Sequence, residues 1–120
     1  MDITQALYDA ERSVGLFYGP SLSSPQEARK LVSGLNLGRR IDIVFGRQTE
    51  YDACFFSPTY EQWVDTDYGG HIVLTATGRT TCVLLHELAH YVMLRDYWSE
   101  RLEIQQHGPQ FAWRYVRLVW

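Results

Sequence analysis

Cysteine is scarce in this chain: Cys54 and Cys82 are the only two in 120 residues. They do not form a Cys-x-x-Cys pair, which excludes a zinc ribbon and leaves two reduced core thiols as the simplest expectation. Lysine is nearly absent, with Lys30 alone against ten arginines, and the basic residues are scattered along a chain of net charge −3. Without a basic patch there is no footprint for a nucleic-acid backbone, so DNA binding is not expected. No apolar run approaches the roughly 18 residues of a membrane span. The first residues carry Asp2, Asp9, Glu11 and Arg12 where a secretory leader needs an apolar stretch. A soluble cytoplasmic protein with no membrane partner is the expectation. Internal repeats and low-complexity segments are also missing, and the length suits one domain, 1–120, with a real core and no second catalytic module.

What the chain does have is a strongly apolar run, Cys82 to Met93, interrupted by His86-Glu87-Leu88-Ala89-His90. On a helix each residue turns by about 100°, so His86 and His90 stand one turn apart on one face, where both imidazoles reach one metal ion. Glu87 is rotated beside them, towards the water that a catalytic zinc holds, which is the position of a general base. Leu84, Leu85, Leu88, Ala89, Val92 and Met93 fill the rest of the circumference. Such a helix is buried on several sides, and burying two histidines and a glutamate costs several kcal/mol unless they are paired or metal-bound. Cys82 lies one turn before His86, too far from His90 to share the ion.

Around this helix the patterns alternate. Ile3, Leu7, Ala10, Val14 and Phe17 predict an amphipathic first helix, stopped by Gly19-Pro20. Ser24-Pro25-Gln26-Glu27 predicts a second, N-capped by Ser24 and ending between Gly34 and Gly38, with Glu27, Arg29 and Lys30 on a solvated face. Ile41 to Phe45 and Ala53 to Phe56 read as short strands that could pair as neighbours. The polar and aromatic stretch from Thr59 to Gly70 reads as a loop or a short helical turn. His71 to Thr75 is the clearest strand, either a plain sheet strand or an edge on which an extended peptide pairs. His71 itself is expected at the surface or hydrogen-bonded rather than on a metal. Thr80 or a neighbour caps the metal helix. Residues 97–106 continue as helix or form a connecting loop with Trp98 and Leu102 tucked inward. Gly108-Pro109 then opens a last helix with Phe111, Tyr115 and Leu118 as its apolar stripe.

Catalytic zinc takes three protein ligands and leaves the fourth position for water. His107 is the preferred third ligand, because the Gly-Pro corner fixes it and the 16 residues after His90 let the chain turn back. Glu100 and Glu103 compete for the position. With one zinc in place, hydrolysis is the reaction class, Glu87 carrying the proton from water to the leaving amine. Tyr91, Tyr97, Tyr115 and Arg114 are all candidates for stabilising the oxyanion.

His86-Glu87-Leu88-Ala89-His90 followed by His107-Gly108-Pro109-x-Phe111 resembles the SprT-like branch of zincin metallopeptidases, and within it a small group of uncharacterised metallohydrolases of actinobacteria and their phages. Leu7 to Glu11 and Ile72-Val73-Leu74 extend the resemblance. It implies an α+β, minimal zincin-like fold: a small, mostly antiparallel sheet packed against the central helix, with N- and C-terminal helices. It also implies His86, His90 and His107 as zinc ligands, Glu87 as base, and a protein or peptide as substrate. The zinc ribbon or DNA-binding region of SprT-like proteases that act on DNA-bound proteins is missing from the sequence. Two other classes stay open: a zinc-stabilised module that binds without cleaving, and an amidase acting on a non-peptide substrate.

Overall fold

The computed structural model describes residues 20–119. The expected first helix over residues 3 to 17 lies outside them. Four helices and three strands follow one another: α1 (Pro25–Gly34), β1 (Arg40–Phe45), β2 (Ala53–Phe56), α2 (Tyr60–Asp65), β3 (Tyr68–Leu74), α3 (Thr81–Asp96) and α4 (Pro109–Val119). The architecture is α+β. Two helix starts carry the expected local chemistry: the Ser24 side chain accepts from the Glu27 N–H, and Thr80 does the same for Val83 at 3.2 Å. Thr59 and Gln62 form a reciprocal capping box on α2.

The sheet departs from the sequence reading in three ways. Its strand order is β1-β3-β2, so β1 and β2 are not neighbours, and β3 is the central strand rather than an edge. The sheet is mixed, because β1 runs parallel to β3 while β2 runs antiparallel to it. The β1 to β3 connection, residues 46–67, contains β2 and α2 and is long enough for the crossover that parallel pairing requires. The third departure is that β3 begins at Tyr68 and absorbs Gly69-Gly70, which composition marks as loop. Arg40 pairs with Tyr68 and Ile41 with Gly70, so Gly69 is an extra residue bulged out of the parallel ladder. Both glycines are needed there. A Cβ on Gly69 would stand 2.7 Å from Tyr91 Cε1, and Gly70 has φ +118° with Phe55 and Phe56 against its Cα.

One face of the sheet carries the core. Ile41, Ile43, Ile72 and Leu74 pack with Leu22, Ala28 and Val32 of the α1 region and with Leu84, Leu88, Tyr91 and Val92 of α3. The chain entering α1 also holds the start of α3. Leu22 N–H donates to Arg79 O and Thr81 N–H to Pro20 O, both at 2.8 Å. Arg29 is not purely solvated as expected, since its guanidinium donates to Ile43 O at 2.9 Å and covers a carbonyl of the β1 edge. α4 crosses α3 and buries Phe111 and Tyr115, as its stripe requires, with Leu118 half-buried. No helix among the described residues is long and apolar enough to cross a membrane.

Candidate metal centre

α3 is buried along most of its length, from Cys82 to Met93 with only His90 half-exposed in that run. It presents His86 and His90 on the face that α4 covers. His107 stands just before α4, where Gly108 N–H donates to Gln105 O at 3.3 Å and Ala112 N–H to Gly108 O at 3.0 Å. A Cβ on Gly108 would come within 2.9 Å of Gln105 Oε1, so the Gln105 side chain packs closely over the corner next to His107. The ring centroids of His86 and His90 are 5.4 Å apart, those of His86 and His107 5.5 Å, and those of His90 and His107 4.8 Å.

One nitrogen from each of the three rings lies within 4.8 Å of the other two. A tetrahedral ion with bonds of about 2.0–2.1 Å to nitrogen needs donors somewhat closer than that, a gap that small ring rotations close. The three histidines therefore fit a divalent metal. Among the described residues no cysteine or carboxylate joins this group. Glu100 and Glu103 are exposed and stand outside the group, so His107 is the candidate third donor. Burial, together with the charges of His86 and His107, pushes the His90 imidazole down to about 3, so it stays neutral and keeps the lone pair that a metal needs.

Glu87 is buried beside the cluster. Burial raises its carboxyl above the ordinary range, while His86 and the Phe55 backbone N–H pull the other way. A carboxylate in that balance takes up a proton more readily than a solvated one, which suits a base working near neutral pH. Of the four oxyanion candidates only Tyr115 stands against the histidines, its ring 5.4 Å from His86. Tyr91 donates its hydroxyl to Leu37 O at 2.7 Å, and Arg114 is spent on Asp96 at 3.0 Å and on the ring of Tyr97.

Phe111 has a role that its place in an apolar stripe did not reveal. Its ring centroid lies 4.4 Å from His90, 4.9 Å from His86 and 5.0 Å from His107, so one fully buried phenyl backs all three imidazoles. The only signal in the sequence is its position one turn after His107. His71 is remote from this set, on the opposite sheet face, with its Nδ1 2.9 Å from the Tyr68 hydroxyl and its ring stacked on Phe56. Leu102, expected to tuck inward, is 91% exposed, and Ile104 packs against the core in its place. No disulfide joins the cysteines: Cys82 is buried, and the half-buried Cys54 has its thiol raised by burial and by the charge of Glu87. No protein-family model, curated protein or solved structure matches the chain.

Proposed function

We propose that the chain is a zinc-dependent metallopeptidase of the zincin type, similar to SprT-like proteins. The convergence of His86, His90 and His107 beside a buried Glu87 supports this most strongly. Bound zinc supplies a polarising Lewis acid and a water acidified to near neutral pH. The chain does the rest. The three imidazoles hold the ion, Phe111 keeps their rings in place, and the Glu87 carboxylate takes the proton from water and delivers it to the departing amine. A purely structural site would have closed its fourth position with a protein ligand and would have no use for a buried carboxylate next to the first histidine.

The test is proteolysis of a mixed peptide library by zinc-loaded protein, with new termini read by mass spectrometry. Wild type is expected to generate new termini. Glu87→Gln is expected to keep its zinc and lose turnover by at least about 100-fold. Equal turnover in the two proteins, or none in either, refutes the peptidase reading. Cleavage of simple amides without cleavage of peptides would favour the amidase alternative.

A further inference from the structure

Next to the histidines lies a cavity of about 290 Å³ whose wall includes both His90 and Arg101. Phe55, Met93, Leu94 and Ile104 give it an apolar half and Ser57, His90, Arg101 and Gln106 a polar one, and among the described residues Arg101 is the only arginine, lysine or carboxylate in its lining. Leu102, the most exposed large apolar residue among those described, also lines it. Nothing among the described residues covers that leucine.

Among the described residues no acid holds Arg101. Its Nη1 donates to Trp98 O at 2.8 Å and its Cζ lies 3.9 Å from the Trp98 ring centroid. Trp98 stacks on Trp63 at 4.4 Å with 8° between the planes, and the Arg39 guanidinium lies 3.5 Å from the Trp63 centroid. Arg39, Trp63, Trp98 and Arg101 thus stack in a column that joins the start of β1, α2 and the turn after α3. A guanidinium has five donor hydrogens in a fixed fork. Stacking and one carbonyl leave most of them available, and among the described residues no carboxylate forms an ion pair with this one. A preordered cation in a half-apolar cavity is matched by a carboxylate carried on a short apolar stem.

We propose that this cavity takes a carboxylate-bearing residue of the substrate beside the bond that is cut, with Arg101 as the residue that selects it. This specificity rests on the peptidase reading above. The carboxylate can come from a glutamate or aspartate side chain or from the end of a peptide chain, which would make the enzyme an exopeptidase.

The test separates binding from turnover. Zinc-loaded Glu87→Gln protein is titrated with synthetic peptides that place Glu or Gln at each position in turn, with either a free or an amidated C-terminus. Tryptophan fluorescence reports occupancy, since Trp98 lies against Arg101. Binding about tenfold tighter for the acid than for its neutral counterpart is expected, in one arm or the other. Adding Arg101→Gln should remove that ratio with zinc content unchanged, and Arg101→Lys should keep part of it. Equal binding of acid and amide, a ratio that survives Arg101→Gln, or no binding at all overturns the proposal. Should Arg101→Gln lose its zinc, the acid-to-amide ratio before that substitution and in Arg101→Lys still decides the matter. Wild-type cleavage with no acid preference removes this inference and leaves the peptidase reading standing. Acid-dependent binding without any cleavage refutes the peptidase reading and leaves Arg101 as the carboxylate-recognising residue of a binding site.

Discussion

Replacing Phe111 with alanine tests whether one phenyl ring organises the metal centre. Phe111 is fully buried and its ring lies 4.4–5.0 Å from the centroids of His86, His90 and His107. Truncation at such a position costs about 3–5 kcal/mol in a metal-free domain, the lost burial plus the cavity left behind. That is a large share of a typical stability of about 5–15 kcal/mol, so the variant should remain folded in the cold with a clearly lowered urea midpoint. The same cavity frees the three imidazoles to tilt. Loss of supporting contacts behind metal ligands weakens affinity by about 10–100-fold, so zinc binding measured by competition with a chromophoric chelator should fall by that factor. Phe111→Leu, which keeps most of the apolar volume, should lie between wild type and Phe111→Ala in both assays. A zinc affinity unchanged in folded Phe111→Ala would refute the reasoning, because the backbone alone would then be setting the ligand positions.

Two further outcomes follow from the sheet and the site. Gly70→Ala places a Cβ 2.5 Å from Phe56 O at φ +118°. It should destabilise the protein by about 2 kcal/mol or more in urea unfolding, and a neutral result would contradict the left-handed backbone and close packing at Gly70. The His90 imidazole, held down to about 3, binds its proton less readily in the folded protein than in the unfolded chain. Metal-free protein should therefore lose His90-dependent stability as pH falls from about 6.5 towards 3. Glu87, with its carboxyl raised, contributes with the opposite sign as pH rises above the ordinary carboxyl range. Comparing Glu87→Gln with Glu87→Gln/His90→Gln isolates the histidine, and parallel stability curves for the two would contradict its burial.

What the sequence made legible was mostly local. Ser24 and Thr80 cap the helices they were expected to cap, and the one-turn spacing of His86 and His90 turned both rings to one face of α3. His107 stands beside them just before the Gly108-Pro109 start of α4, where the proline ring sets φ for the first helical turn. The sheet was less legible, since strand order depends on contacts between residues far apart in the chain. Gly69-Gly70 carries the same composition in a bulge as in a loop, and only Tyr91 and the Phe55-Phe56 pair packed against it distinguish the two. The stack of Arg39, Trp63, Trp98 and Arg101 draws on three separate segments, so no window of sequence contains it. For the same reason Leu102, expected to turn inward with Trp98, is exposed and Ile104 packs against the core in its place, while Trp98 is half-buried against Trp63.

Metal-dependent hydrolysis requires His86, His90 and His107 to hold one metal ion. The most direct measurement is metal content per chain in protein purified without a histidine tag and equilibrated with zinc, for wild type, His107→Ala and Glu103→Ala. One zinc per chain in wild type and Glu103→Ala, with loss confined to His107→Ala, is the predicted result. Loss in Glu103→Ala with normal zinc in His107→Ala would move the third ligand onto the 97–106 segment. A wild-type chain that takes up no metal would contradict the metal centre and the proposed hydrolysis together.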